Sequence, residues 1–223
     1  RALPWTVCSI AFVVYVAGFA SAYDLGLIQE GAAYAIIFMS LVLVTGVGGM
    51  ISLAQSAFVL LASLVMGALV AAGVPFVPAL LAGVVAATVA GIIVALPALR
   101  LGGLFFALAT LAMALIGDQV LFVWTPLSGG DSGWSIPRPT MGSIDFSDDR
   151  AFALLLLVIL AVVVLLTRNY INSPAGRAIV AVGSTAAAAG ASGISAVRSR
   201  LRIFALSAAL AGLGGGLLSA SHY

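Results

Sequence analysis

Two residues of this chain could in principle form a hydrolytic pair. The tetrapeptide Gly190-Ala191-Ser192-Gly193 fits the G-x-S-G pattern of a serine nucleophile, and His222 follows it downstream. Nucleophilic catalysis requires the serine hydroxyl to lie within hydrogen-bonding reach of the histidine. An apolar run of membrane-spanning length separates the two residues, which places them about 30 Å apart. We therefore expect no catalytic residue in this chain, and an intramembrane hydrolase is the least favoured functional class.

The densest polar cluster within apolar sequence runs from Thr45 to Phe58 and contains three glycines together with Ser52, Gln55 and Ser56. Glycines allow the backbone to bend, and backbone amides freed by a bend are tolerated in a membrane only when they are buried in protein or line a water-filled cavity. One interpretation is a broken helix that lines a translocation pathway. The other is ordinary hydrogen bonding to a neighbouring helix, and the residues alone favour neither.

Long apolar runs must position these residues, because hydrophobic residues make up 63% of the 223-residue chain. A spanning helix needs about 20 mostly apolar residues, and a soluble domain cannot bury this much apolar surface. We predict an all-α fold, a polytopic transmembrane helical bundle that forms a single domain over 1–223. The predicted spans are 4–22, 31–47, 50–72, 77–96, 104–124, 151–167 and 203–219, with an outer loop at 126–150 and a cytoplasmic coupling segment at 168–202.

The charged residues lie between these runs and are sorted by sign. Loops on the cytoplasmic side of a membrane are enriched in arginine and lysine, so the sorting predicts orientation. We expect a multi-pass protein of the inner (plasma) membrane, surrounded by lipid, with its N-terminus in the cytoplasm. The inner side would carry Arg1, Arg100, Arg168, Arg177, Arg198, Arg200 and Arg202; the outer side would carry Asp24, Glu30, Asp131, Asp145, Asp148 and Asp149, with Arg138 and Arg150.

Composition also excludes several functions. The nine basic residues are all arginine, so the chain cannot supply the lysine of a Walker A loop and cannot itself carry that ATP site. A net charge of +2 is too small and too scattered for a nucleic-acid partner. Asp118 is the only charged residue well inside a span, which argues weakly against an ion-coupled carrier. We expect no metal site and no cofactor in this chain.

Two polar segments could contact partner proteins. The inner segment holds two short helices in sequence: Ser173 and Pro174 suit a helix start, Gly183 a stop, and Ser184 a second start. Paired small-residue helices of this kind suit a groove on another protein, although an ordinary loop with headgroup-binding arginines is the alternative. The outer loop is longer than a connection requires, which favours a docking role. Its candidate docking residues are Gly129, Gly130, Asp131 and Trp134.

Four stretches in order resemble the permease subunits of ATP-binding-cassette importers for branched-chain amino acids. The resemblance covers nearly the whole chain. The stretches are Thr45-Gly46 through Ile51-Ser52-Leu53-Ala54-Gln55-Ser56-Ala57-Phe58; Leu96-Pro97-Ala98-Leu99-Arg100-Leu101 with Gly103-Leu104; Ser128-Gly129-Gly130 through Ile136-Pro137; and Ser173-Pro174-Ala175-Gly176-Arg177-Ala178, which continues into Phe204-Ala205-Leu206-Ser207-Ala208-Ala209-Leu210-Ala211-Gly212.

The resemblance implies a fold similar to type II-like importer permeases. It also implies four kinds of partner: a homologous permease subunit, two cytoplasmic ATPase subunits that carry ATP and Mg²⁺, an external solute-binding protein and membrane lipid. The solute would be leucine, isoleucine or valine, and the alternatives are urea, an amide or another small polar solute. A stand-alone secondary transporter or channel is a less favoured class. Family members continue for further spans, so we expect this chain to be C-terminally incomplete.

The resemblance also suggests roles for individual residues. Where family members carry charged residues in the coupling segment, this chain has Ala186 to Ala189. We assign ATPase coupling to Ser184, Thr185, Ala186, Ala187, Ala188, Ala189, Gly190 and Gly193, and the translocation pathway to Gly48, Gly49, Ser52, Gln55, Ser56 and Thr110.

Overall fold

The computed structural model describes residues 15–16, 18–98, 104–123, 140–141, 144–145 and 148–221. Within them the chain forms the helices α1 (Ala22–Leu41), α2 (Gln55–Ala71), α3 (Phe76–Ala98), α4 (Leu104–Val123), α5 (Asp149–Asn172), α6 (Pro174–Ser184), α7 (Ala186–Ala191) and α8 (Ala196–Ser221). A π-helix, Val42–Val47, continues α1, and two-residue strands β1 (Thr140–Met141) and β2 (Ile144–Asp145) pair antiparallel.

The predicted all-α helical bundle is confirmed. Four helical stretches are long and apolar enough to cross a membrane: Ala22–Val47, Phe76–Pro97, Asp149–Asn172 and Ala196–Ser221. Two shorter apolar helices, Gln55–Ala71 and Leu104–Gly117, lie between them in the sequence. Residues 4–14 and 17 of the predicted span 4–22 lie outside the described residues, so the count of seven spans stays a prediction.

The first described long helix begins earlier than predicted. Asp24 and Glu30 were expected in a loop, but both lie within α1. The reason is a capping box: the Asp24 amide donates to Ser21 Oγ (3.3 Å), and the Ser21 amide donates to Asp24 Oδ2 (3.2 Å). A carboxylate in the first turn also favours the positive end of the helix dipole. The acidic residues therefore start a helix here and do not interrupt one.

The predicted coupling segment, 168–202, is likewise more helical than expected. Arg168 lies in the last two turns of α5, which ends at Asn172, and Arg198 to Arg202 lie in the first two turns of α8. Between these ends the chain forms α6 and α7. The segment is thus a helical hairpin between two long helices.

Helix α8 forms the centre of the bundle and packs against α1, α2 and α3. The share of its apolar stretch that is buried is 67%, against 28–39% for the other three long stretches. Glycines make this close approach possible: a Cβ on Gly215 would lie 2.6 Å from the Val59 carbonyl oxygen, and a Cβ on Gly212 would lie 2.8 Å from Ala87 Cβ. Helix backbones pack this closely only where side chains are small.

Helix α3 packs against α8 with one face and has a second face that is turned away from the bundle. Its large apolar side chains are exposed at every fourth position, and the most exposed are Leu81, Val85 and Ile93 at 58%, 60% and 64%. Residues four apart lie on one face of a helix. A continuous stripe of large exposed apolar side chains is what a lipid-facing helix presents, so this surface is that of a membrane protein.

The two ends of the bundle differ in charge. The starts of α1 and α5 lie at the same end, because Gln29 Nε2 donates to the carbonyl oxygen of Asp149 (2.9 Å). That end carries the acidic residues of the two helices, whereas the C-terminal end of α5 and the N-terminal end of α8 carry the arginines. The acidic end holds Asp24, Glu30, Asp148 and Asp149; the arginine end holds Arg168, Arg177, Arg198, Arg200 and Arg202.

Candidate functional site

The candidate site is a break in the helical path between α1 and α2, formed by residues 48–54 and called the helix break below. The chain leaves the π-helix with the Gly48 amide bonded to the Leu43 carbonyl (2.9 Å). Gly49 then adopts φ +63°, a conformation that favours glycine. Gly48 is also required sterically, because a Cβ there would lie 2.6 Å from the Val44 carbonyl oxygen. The backbone becomes helical again only at Gln55.

A buried chain of hydrogen bonds joins the start of α2 to α8 and α1. Gln55 Nε2 donates to Ser207 Oγ (2.8 Å), and Ser207 Oγ donates to the carbonyl oxygen of Ser40 (2.7 Å). All three residues are buried. Because Ser40 immediately precedes the last residue of α1, the chain of bonds ties both sides of the helix break to the central helix α8.

Gln55 has one polar atom without a partner. Its Oε1 is buried and accepts no hydrogen bond from any residue that the structure describes. A buried carbonyl oxygen that lacks a donor costs free energy, about 1–3 kcal/mol. The polar cluster around the helix break is therefore incompletely satisfied, in contrast to the fully bonded Ser207 hydroxyl beside it.

A second group of hydrogen bonds joins the helix break to α4. The Leu53 amide donates to Thr110 Oγ1 (3.1 Å), and Thr110 Oγ1 donates to the Ala107 carbonyl (2.9 Å). Inside the break the Ala54 amide points to Ser52 Oγ at 3.5 Å. Thr110 and Ser52 are fully buried, at 0% and 1% exposure. These bonds replace part of the helical hydrogen bonding that the break gives up.

Ser56 faces a different direction from its buried neighbours. It is exposed and lines an open cavity of about 450 Å³ between α2 and α4. The other lining residues are apolar: Leu53, Ala57, Leu60, Leu111, Ala114 and Leu115. The cavity thus offers aliphatic walls with one hydroxyl at the first turn of α2.

The helix break lies towards the arginine end of the bundle. Ala22–Val47 is a 26-residue helical stretch, about 39 Å long, so the break follows a complete crossing. Ser207, which bonds to Gln55, lies five residues beyond Arg202 on α8, about 7 Å along the helix axis. The helix break therefore lies towards the arginine end of the bundle, and its buried hydrogen bonds reach Ser207 near the middle of α8.

The hairpin of α6 and α7 lies next to the helix break. Ser173 caps α6 by accepting from the Gly176 amide (3.2 Å), and Pro174 occupies the first turn. The chain bends at Thr185 (φ −153°, ψ 95°), and α7 ends where Gly193 adopts φ +78°. A Cβ on Gly49 would lie 3.7 Å from Gly183 Cα, in the last turn of α6.

The structure brings together most of the predicted pathway residues. Gly48, Gly49, Ser52, Gln55 and Thr110 surround the helix break, whereas Ser56 points into the open cavity. The predicted coupling residues from Ser184 to Gly193 form the end of α6, the bend, α7 and its terminal turn. The predicted docking residues, Gly129, Gly130, Asp131 and Trp134, lie outside the described residues.

Two further members of the site were not predicted. Ser40 and Ser207 complete the buried chain of bonds, yet each is a serine flanked by apolar residues in a long helix. Their signal in the sequence is only a small polar residue at membrane depth, which more often bonds within its own helix. Ser192 does bond in that way, to the Ala188 carbonyl (3.2 Å). It is exposed in the hairpin, and α8 then extends for about 39 Å to Ser221, whereas His222 lies outside the described residues.

Comparison with known sequences identifies the family of this chain. The family described as branched-chain amino acid transport system / permease component matches residues 25–222. The chain belongs to this family. It is 34% identical to the high-affinity branched-chain amino acid transport system permease protein LivM of Salmonella typhimurium and 33% identical to that of Escherichia coli. Each alignment covers 63% of this chain and 38% of the relative, and no solved structure matches.

The four helices of spanning length and membership of a permease family make this chain a membrane protein of that family. The chain spans 38% of the length of the curated relatives it matches. The family resemblance deduced from the four sequence stretches is thus confirmed. The roles of individual residues are proposals that the geometry supports to different degrees.

Proposed function

We propose that this chain forms part of the pathway through which an ATP-driven importer moves branched-chain amino acids across the inner membrane. Its family and the two LivM relatives support leucine, isoleucine and valine as solutes. The observation that carries the proposal is the helix break at 48–54, an irregular backbone segment with buried polar groups beside an aliphatic cavity. Broken helices with buried polar groups are a recurring feature of solute pathways.

In this proposal the energy comes from other subunits. A homologous permease subunit would complete the pathway, two cytoplasmic ATPase subunits would bind ATP and Mg²⁺, and an external binding protein would deliver the solute. The arginine end of the bundle would face the cytoplasm, which agrees with the charge bias of cytoplasmic loops. The N-terminus would then be cytoplasmic, and the 126–150 loop, with Gly129, Gly130, Asp131 and Trp134, would face the binding protein.

The hairpin of α6 and α7 would contact the ATPase. It projects exposed small residues, among them Ala188, from the end of the bundle that carries the arginines. A short, rigid helix of this kind can convey a movement of the ATPase because it binds the two states of the partner differently. In this reading Ser184 to Gly190 and Gly193 form the contact with the ATPase groove.

A pull-down from native membranes tests the partner set. The full-length protein should co-purify with an ATPase subunit, and the substitution Ala188→Glu should lower the yield of ATPase at least tenfold. Ala72→Glu, at an exposed alanine after α2 and at the opposite end of the bundle, is the matched control and should leave the yield unchanged. Purification without any ATPase would contradict the proposal and would favour a stand-alone carrier.

A further inference from the structure

The helix break and the α6–α7 hairpin meet at two glycines. From the Cβ position of Gly49, Gly183 Cα at 3.7 Å is the only atom within 4 Å among the described residues outside its chain neighbours. In the reverse direction, a Cβ on Gly183 would lie 3.8 Å from the Val47 carbonyl oxygen and 3.9 Å from that of Gly48. The backbones of Gly183 and the break therefore lie close together with no side chain between Gly183 and Gly49.

A contact between two glycines transmits displacement directly. No side chain lies between the two backbones, so no rotamer change can absorb a movement of one against the other. Gly49 is held at φ +63°, where few other residues are stable, and so its own conformation is restricted. A movement of α6 towards the helix break would therefore bring the two backbones together, with no side chain between them to absorb it.

On one side of this contact lies the element that a partner can move. Ile179 and Val182 seat α6 in the core, at 0% and 1% exposure. The next residues, Gly183 and Ser184, are exposed, and the bend at Thr185 leads directly into α7. A force applied to α7 therefore acts on α6 next to Gly183.

On the other side the helix break is fixed. The Leu53 amide is bonded to Thr110 on α4, and Gln55 is bonded to Ser207 on α8, the most buried helix. The break lies between a fixed end and a movable end. A push from Gly183 would consequently change the backbone of residues 48–52 before it moved either long helix.

We infer that the contact between Gly49 and Gly183 couples the α6–α7 hairpin to the helix break, and that it must change for the pathway to open at the arginine end. This inference rests on the proposed function. It assigns positioning roles to Gly49 and Gly183. Gly183 was not among the predicted pathway or coupling residues.

A reversible cross-link tests the inference. Cysteines at 49 and 183 suit a disulfide, because a Gly49 Cβ 3.7 Å from Gly183 Cα places the two Cα atoms no more than about 5 Å apart, and disulfide Cα atoms lie about 4.4–6.8 Å apart. Cys8 is the only cysteine of these 223 residues, so the full-length protein with Cys8→Ser, and with any cysteine outside them also replaced by serine, serves as background. The variant Gly49→Cys/Gly183→Cys, assembled with its partner subunits in membrane vesicles, should lose at least tenfold of its ATP-dependent leucine uptake on oxidation and regain it with a reductant.

Controls separate the possible failures. The two single-cysteine variants should transport equally with and without oxidant, and mass spectrometry should confirm the disulfide in the double variant. A formed disulfide that leaves uptake unchanged would overturn the inference while the proposed function stands. A Cys8→Ser background with no ATP-dependent uptake at all would refute the proposed function, and the inference would fall with it.

Substitutions of increasing size at Gly183 test the same contact and leave Gly49, whose positive φ disfavours other residues, unchanged. Gly183→Ala should keep uptake within twofold of wild type, because its Cβ makes ordinary contacts of 3.8–3.9 Å. Gly183→Phe should reduce uptake at least tenfold, since the ring must displace the helix break. Gly26→Phe, in an open position on α1, is the size-matched control and should have little effect. Equal uptake by both phenylalanine variants would also overturn the inference.

Discussion

Removal of the Ser207 hydroxyl is expected to destabilise the bundle by about 2–3 kcal/mol. In the substitution Ser207→Ala, Gln55 Nε2 loses its acceptor and the Ser40 carbonyl loses a donor. Hydrogen bonds between membrane helices are worth about 0.6 kcal/mol on average and about 1.7 kcal/mol at most, so two of them contribute about 1–3 kcal/mol. We expect the upper part of this range, because Gln55 Oε1 already lacks a partner and the whole buried amide would then be unpaired.

A double-mutant cycle isolates this interaction. Gln55→Leu removes one bond to Ser207 but also removes the unpaired Oε1, so we expect a cost of no more than about 1 kcal/mol. In the Gln55→Leu background, Ser207→Ala should cost only the bond to Ser40, about 1 kcal/mol. The coupling free energy between the two positions should therefore be about 1–2 kcal/mol.

Reversible unfolding of the purified protein in mixed micelles, followed by circular dichroism against denaturant, measures these free energies. Ser219→Ala is the matched control on the same helix, because Ser219 Oγ bonds only to the Gly215 carbonyl of α8 itself (2.7 Å). It should change the free energy of unfolding by less than about 0.5 kcal/mol. The account of the polar cluster fails if Ser207→Ala is no more destabilising than Ser219→Ala, or if the two substitutions of the cycle are additive.

Two further predictions concern the close packing of α8 and the tie between the helix break and α4. Gly215→Ala should destabilise the protein by about 1–3 kcal/mol, since its Cβ would lie 2.6 Å from a backbone oxygen of α2, whereas Gly31→Ala, in an open helical position, should be neutral or stabilising by up to about 1 kcal/mol. Thr110→Val keeps the side-chain shape but removes the acceptor for the Leu53 amide, so hydrogen exchange at that amide should accelerate about tenfold while exchange in α3 stays unchanged. Equal melting temperatures of the two alanine variants would contradict the first prediction, and unchanged protection of Leu53 the second.

Local features of the chain were predictable where backbone chemistry alone decides them. The break after Val47 follows from Gly48 and Gly49, because one position excludes a Cβ and the other requires a positive φ. The hairpin start follows from Ser173 and Pro174, a capping residue and a residue with no amide to satisfy. Each of these depends on neighbours within a few residues, which the sequence displays directly.

Contacts between distant residues were not predictable in this way. Ser207 and Ser40 bond across 167 positions, and a serine flanked by apolar residues in a long helix does not indicate its partner. The contact of Gly183 with Gly49 depends on how α6 lies against the end of α1, a packing result that no local pattern encodes. Asp24 shows a different failure, since an acidic residue can either interrupt an apolar run or cap a helix, and only the capping geometry distinguishes them.

Uptake by the reconstituted transporter tests the central claim most directly. Vesicles that contain the full-length protein, its homologous permease subunit, the ATPase subunits and the external binding protein should accumulate labelled leucine only when ATP is on the ATPase side. Unlabelled isoleucine and valine should compete with leucine, whereas urea should not. Leucine accumulation without ATP, or ATP-dependent accumulation of urea that leucine fails to inhibit, would contradict the claim that this chain serves an ATP-driven importer of branched-chain amino acids.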